Sequence, residues 1–366
     1  MKILYDHQAF SGTKYGGIAR YFYDLMSQLN QQEQHAKLAL LFSNNVYLKE
    51  SKSFNPIAFK EFLGHMPTNM LFSQINRLNS ILELRKQQFD IFHPTFYHSY
   101  FLNHIGNKPF VLSYFDLNKE IFNQPNLDNA TLSQKQNLIN KAQKIIAISD
   151  NTKNDILKYF EVNPNKIEVV HLSSTMNEKL ALQNSNIQTP ENYFLYVGNR
   201  TEYKNFGVML KGFAILHQKN KNINLVCAGG GAFSDEENSL IATLGITKNI
   251  VQVYFKNDID LFHLYKKAIS FVYPSLYEGF GIPILEAFAA ECACILSNAS
   301  CFPEVAADAA LYFDPTNAED LAQKMETVLK NKSLQKELIL LGNKRKLDFS
   351  KSITAQKTLK IYQSIV

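Results

Sequence analysis

Short β-rich apolar runs alternate with helix-period segments along nearly the whole chain, and this alternation restricts the fold more than any other feature. In the first half the strand-like runs are KILYD, LALLFS, DIFHP, KPFVLSY, KIIAIS and KIEVVH, separated by helical patterns such as IARYFYDLMSQL, INRLNSILELRKQQ and NTKNDILKYF. The second half repeats the plan with YFLYVG, INLVCAGG, VQVYF, ISFVYPS, CACILS and ALYFD, interleaved with NFGVMLKGFAILHQ, DLFHLYKKA, ILEAFAAE and AEDLAQKMETVLKN. Strand and helix in short alternation predict parallel sheets covered on both faces. Two such series predict two doubly wound α/β domains, and 366 residues exceed the length at which one core usually keeps growing. The polar stretch 175–193, TMNEKLALQNSNIQTPENY, lacks periodicity and reads as the linker. The expected domains are 1–180 and 181–349, with a closing helical segment at 350–366.

Composition removes several classes of function. The 38 basic and 33 acidic residues leave a net charge of +5, and the basic residues are dispersed with no aromatic-interleaved run, which argues against a nucleic-acid binder. Cys227, Cys292, Cys294 and Cys301 form no CxxC pair and no zinc-ligand spacing, so they read as reduced core thiols of a cytosolic protein. Asp6 and His7 cut short the apolar run at the start, leaving no signal-peptide pattern. No apolar stretch approaches the length that crosses a bilayer.

In open parallel sheets, ligands bind beyond the carboxyl ends of the strands, so the residues that follow strands carry the candidates. After the first strand, Gly16 and Gly17 directly precede a helix, and their bare N–H groups suit either an anion or an ordinary glycine turn. After YFLYVG, Arg200 and Lys204 precede a helix, where two cations suit a pyrophosphate; a solvated basic loop is the plainer alternative. After FVYPS comes EGFGIPILE, with Glu278 in a glycine-punctuated turn and Glu286 about one turn inside the helix opened by Pro283. A carboxylate accepts hydrogen bonds from two neighbouring hydroxyls, which sugars and ribose supply.

Together these blocks resemble the family 4 glycosyltransferases, retaining sugar-nucleotide-dependent enzymes of the GT-B fold. The resemblance runs through GGIARYFYDL, DIFHPTFY, KIIAISDNTKNDI, YVGNRTEYKNF, FVYPSLYEGFGIPILEAFAAECACILSN and PEVAADAALYFDP, and PSLYEGFGIPILEA is its most specific part. It implies two Rossmann-like domains facing across a cleft and a final helix that crosses back onto the first. It also implies that Glu286 holds the ribose and that Glu278 lies by the transferred sugar. The main chain of Gly279, Phe280, Gly281 and Ile282 would meet sugar and phosphate, and Arg200 with Lys204 would neutralise the pyrophosphate. No metal and no cofactor beyond the donor is implied. The family's Thr-x-His-Asp stretch corresponds to Ser113, Tyr114, Phe115 and Asp116, so phenylalanine stands where the histidine would be.

The implied reaction moves a hexose, mannose or a deoxy sugar, from a nucleoside diphosphate sugar to a glycan or lipid-linked glycan in surface polysaccharide assembly, with retention at the anomeric carbon. Glu278, Asp116 and His93 are the candidate catalytic residues, with His98 a second histidine near the same strand end. A lone histidine is more often a structural hydrogen-bonder than a proton carrier. Two alternatives remain: a sugar-nucleotide binder without activity, which Phe115 favours, and a sugar-nucleotide 2-epimerase of the same fold. Acceptor choice is expected within residues 44–72. The stripe of Ile75, Leu78 and Leu82 is expected to pack on the sheet, as amphipathic helices usually do, with contact to the cytoplasmic face of a membrane as the alternative.

Overall fold

Inner strands such as VLSY at 111–114 and SFVY at 270–273 are apolar at consecutive positions because they are buried on both faces, whereas the edge strand HAKL at 35–38 has exposed positions. The computed structural model describes residues 1–49, 51, 53–59, 62–63, 66–122, 129–174 and 176–366. The chain divides into two units, Met1–Leu172 with Lys351–Val366, and Ser173–Ser350.

In the first unit the strands are β1 (Lys2–Tyr5), β2 (His35–Leu38), β3 (Ile91–His93), β4 (Val111–Tyr114), β5 (Lys144–Ala147) and β6 (Ile167–Val169). Parallel pairing gives the orders β2-β1-β3 and β4-β5-β6. A parallel bridge between Phe92 and Phe110 joins the two, with the Phe92 N–H donating to the Pro109 carbonyl at 3.0 Å. Helix α1 (Gly17–Gln31) buries Ala19, Phe22, Leu25, Met26 and Leu29 at helical spacing. The closing helix Lys351–Gln363 belongs to this unit. Its Tyr362 hydroxyl meets that of Tyr5 at 2.9 Å, and Thr354 donates to the His171 carbonyl at 2.9 Å.

Helix α2 (Thr68–Arg85) departs from expectation: Leu78 is 61% and Leu82 58% exposed, while Asn76, Ser80 and Leu84 are buried. The reason is hydrogen bonding to the segment that leaves β2. Asn76 accepts from the N–H groups of Leu41 (3.1 Å) and Phe42 (2.9 Å) and donates to Phe42 O (2.8 Å) and Ser11 Oγ (2.9 Å). Ser80 donates to the Ala39 carbonyl at 2.9 Å. Buried polar groups so fully partnered satisfy backbone that leucine would leave orphaned.

The second unit holds β7 (Tyr193–Val197), β8 (Asn224–Ala228), β9 (Ile250–Val253), β10 (Ser270–Tyr273), β11 (Cys294–Ser297) and β12 (Ala310–Phe313). They form one parallel sheet in the order β9-β8-β7-β10-β11-β12. Its core gathers Phe194, Phe213, Leu225, Val272 and Ile295. Helices α3 (Phe206–Lys219), α4 (Asp235–Thr243), α5 (Asp258–Lys267) and α6 (Ile282–Ala289) follow β7, β8, β9 and β10. The first unit ends at Leu172, ahead of the expected 180, because the described part of the polar stretch is anchored to the second unit. Glu178 pairs with Lys346 at 2.5 Å, His263 donates to the Gln183 carbonyl at 2.7 Å, and Ser185 donates to Asp260 at 2.7 Å. Residue 175 of that stretch and several residues of 44–72 lie outside the described residues. Among the described residues, no helix is long and apolar enough to cross a membrane.

Candidate active site

The strand order of the second unit reverses between β7 and β10, and the loops leaving these neighbouring strands are fastened to each other. The Leu276 N–H donates to the Tyr203 carbonyl at 2.8 Å, and Asn205 donates to the carbonyls of Pro274 (3.1 Å) and Pro315 (2.7 Å). Asn205 adopts a left-handed conformation, φ 57°, which asparagine tolerates, and so turns the chain into α3.

This fastening brings Lys204 Nζ within 2.6 Å of Glu278 Oε1, with the two side chains only 14% and 11% exposed. The ammonium also lies 5.2 Å from the ring centre of Tyr203 and 5.6 Å from that of Tyr273. Ser300 fixes the backbone of Glu278: its hydroxyl accepts from the Glu278 N–H at 3.1 Å and donates to the Glu278 carbonyl at 2.6 Å. Ser300 itself sits at φ 55°, a sparsely populated conformation for a non-glycine residue. Burial, and then the nearby Glu278 charge, hold the Tyr273 phenol and the Cys301 thiol well above their ordinary ranges, so both remain neutral.

Gly281 turns this loop into α6 with φ 86°, and a Cβ there would lie 3.1 Å from both Ile284 Cδ1 and Phe302 Cε1. Here the turn and the packing both demand glycine. The helix begins at Ile282, with Pro283 in its first turn. Gly279 and Phe280 are buried, the Phe280 ring resting edge-on against Phe349 at 5.7 Å. Glu286, half-buried just over one turn into α6, accepts from the Tyr265 hydroxyl at 3.1 Å. Burial first, and Glu286 second, push the Tyr265 phenol well up, so it stays a donor. The sequence therefore places Lys204, Glu278 and Glu286 around one helix N-terminus, where the dipole favours negative charge.

Arg200 takes partners other than that of Lys204. Its Nε donates to Glu237 at 2.8 Å, and its terminal nitrogens donate to the carbonyls of Gly229 (3.2 Å), Gly230 (3.3 Å), Gly231 (3.0 Å) and Ala232 (2.8 Å). Its side chain is 4% exposed, with Phe233 and Phe206 beside the guanidinium at 4.7 and 5.6 Å. The loop curls around it because Gly229, Gly230 and Gly231 all have positive φ. A Cβ on Gly230 would meet Arg200 at 2.6 Å. The GGG run was the available sequence signal for this loop, and the strand reading of INLVCAGG passed over it. Ser300 and Tyr265 carry no such signal.

The remaining expected residues lie in the first unit. Gly16 precedes α1 in an extended conformation, and a Cβ on Gly16 or Gly17 would meet nothing within 4 Å, so neither glycine is required by packing. His93 is fully buried, with Nδ1 2.5 Å from the Tyr362 hydroxyl and Nε2 2.9 Å from Ser113 Oγ. Burial pushes its pKa down to about 3. Both ring nitrogens of His93 are engaged, the arrangement of a structural hydrogen-bonder. His98 is exposed and accepts from the Tyr100 N–H at 3.1 Å. Phe115 is 7% exposed, its ring edge-on to Tyr21 at 5.2 Å and Phe22 at 5.9 Å, with its N–H donating to the Tyr97 hydroxyl at 3.0 Å. Asp116, half-buried at the end of β4, accepts from the Asn118 N–H at 3.3 Å. At the reversal between β1 and β3, sequence reasoning also missed buried Asp6, which accepts from the Thr95 N–H at 2.8 Å, Thr95 Oγ1 at 2.7 Å and the Tyr100 hydroxyl at 3.0 Å.

The family model for glycosyl transferases group 1 matches residues 177–345, and that for glycosyltransferase family 4 matches residues 15–172. O-antigen chain mannosyltransferase B of Escherichia coli is 26% identical over 62% of this chain and 61% of its own length. O-antigen chain mannosyltransferase RfbU of Salmonella typhimurium is 28% identical over 53% of this chain and 52% of its own. The matched part thus spans between half and two thirds of these curated relatives. Sucrose-phosphate synthase from Thermosynechococcus elongatus superposes with a TM-score of 0.77 at 18% identity, covering 100% of this chain and 99% of that one. Two α/β units with parallel sheets, a Glu-x7-Glu turn at the second reversal point and the two adjoining family models lead to one assignment: the chain belongs to the family 4-type group 1 glycosyltransferases of the GT-B fold.

Proposed function

We propose that the protein transfers a hexose from a nucleoside diphosphate sugar to a hydroxyl of a glycan or lipid-linked glycan, with retention, during surface polysaccharide assembly on the cytoplasmic side of a membrane. The observation that carries the reading is the Lys204–Glu278 pair at the N-terminus of α6, with Glu286 one turn further on. In this scheme Glu286 accepts from the ribose hydroxyls and Glu278 from the transferred sugar. Lys204 and the α6 N-terminus meet the charge that builds on the departing diphosphate, without a metal. The departing phosphate takes the acceptor proton, so no separate base is needed. The relatives' names as O-antigen mannosyltransferases support mannose as the first donor to test and a surface glycan as acceptor; a deoxy sugar is the second donor.

The test is a thermal-shift panel of nucleoside diphosphates and their sugars, followed by transfer assays with the stabilising donor. A ligand at a hundred times its Kd stabilises by about 2.7 kcal/mol. Glu286→Gln should weaken the nucleoside diphosphate itself, whereas Glu278→Gln should spare the nucleotide and depress turnover. A protein that no nucleotide stabilises would end this reading. Phe115 favours a second reading, a sugar-nucleotide binder without activity. Donor binding with neither transfer nor hydrolysis would establish it, and free epimerised sugar would instead mark a 2-epimerase.

A further inference from the structure

We propose that Ser300 is a positioning residue for sugar transfer, acting through Glu278. The inference rests on the proposed function, in which Glu278 meets the transferred sugar. Glu278 stands in the loop that leaves β10, and the loop that leaves β11 grips it at several points. Ser297 Oγ donates to the Ser275 carbonyl. The Ser300 hydroxyl accepts from the Glu278 N–H at 3.1 Å and donates to the Glu278 carbonyl at 2.6 Å. The Cys301 thiol donates to the same carbonyl at 3.3 Å. The Phe302 ring lies 4.7 Å from that of Tyr273 and fills the space beside Gly281.

The conformation of Ser300 singles it out within this loop. At φ 55° a side chain is disfavoured, and glycine would make the same turn without strain. A Cβ is present all the same, and the hydroxyl it carries meets both main-chain polar groups of one buried residue. Strain of this kind persists where the surroundings over-determine it, and here the Glu278 backbone supplies the determining contacts. Glu278 is thereby held at both ends, its main chain by Ser300 and its carboxylate by Lys204 at 2.6 Å. A carboxylate that must meet particular sugar hydroxyls loses rate steeply when it is displaced by about 1 Å. The turn by itself needs no hydroxyl; the placement of Glu278 does.

Two variants separate these demands. Ser300→Ala removes the hydroxyl and keeps the strained turn, whereas Ser300→Gly removes the hydroxyl and relaxes the turn, so the glycine variant should fold. Both should lower kcat for transfer by about tenfold or more. Donor KM and nucleoside diphosphate Kd should stay within about threefold, since Lys204 and Glu286 remain. A second readout needs no sugar. The coupling between Lys204 and Glu278, measured in urea by the cycle of Lys204→Met and Glu278→Gln, should fall by about half or more in the Ser300→Gly background. A hydroxyl that only stabilises the fold would lower the stability of all four proteins alike and leave that coupling intact. An intact coupling, or a reduced coupling at unchanged kcat, would overturn the proposal. A wild type that transfers no sugar would end the proposed function, and the coupling alone would then decide whether Ser300 places Glu278.

Discussion

Lys204, two residues before α3, and Glu278, four residues before α6, meet at 2.6 Å across 74 positions of sequence. The pair is largely withdrawn from water, so each charge depends on the other for its solvation. It sits where β7 and β10 part, the crevice in which a doubly wound sheet binds its ligand. Under the proposed function, a diphosphate bound there would compete with Glu278 for the Lys204 ammonium.

Removing either partner strands the other. Lys204→Met and Glu278→Gln should each lower unfolding free energy by about 1–3 kcal/mol, and the double variant should lose less than the sum. Urea titrations of the four proteins check this. Additive losses would mean that the two groups do not sense each other.

Arg200 and Lys204 should separate functionally. Arg200→Ala should destabilise the fold by about 1.5–3 kcal/mol, since it empties charge-assisted hydrogen bonds to Glu237 and the glycine loop. Lys204→Ala, besides its stability loss, should weaken nucleoside diphosphate binding more than Arg200→Ala does, and chelators should change neither activity nor affinity. Calorimetry with diphosphate, with and without EDTA, reads the difference.

Phe115→His should not restore a sugar contact. The ring lies among Tyr21 and Phe22, so an imidazole there is buried against aromatic edges. A cost of about 1–3 kcal/mol is expected for its unpartnered polar groups. Higher turnover across a donor panel, at unchanged stability, would contradict this placement.

Acid stability should report His93. Its folded-state pKa of about 3 lies below the ordinary 6.5, so between these values the unfolded chain binds more protons than the folded one. The stabilising contribution is therefore complete above pH 6.5 and is lost as pH falls towards 3. His93→Gln should remove up to about 1.4 kcal/mol per pH unit from that slope. Denaturant titrations from pH 6.5 down to 4.5 measure it, and an unchanged slope would show that His93 is not held neutral.

The alternation of YFLYVG, INLVCAGG, VQVYF and ISFVYPS with helical segments was sufficient for the parallel sheet, its helices and the strand-end loops that carry Lys204, Glu278 and Glu286. Residue type and spacing also placed Gly281 and Pro283 at the start of α6, because a left-handed turn and a first helical turn are local demands. Both kinds of information concern near neighbours along the chain. The choice of partner for each polar side chain is a long-range matter that spacing does not encode. Arg200 and Lys204, four residues apart, go to Glu237 and Glu278, 37 and 74 positions away. His93 is neutralised by burial and held by Tyr362, 269 positions away. Helix α2 shows the same division: its period was legible, but which face turned inward was decided by the unpaired backbone at Leu41 and Phe42, where two N–H groups required the Asn76 amide.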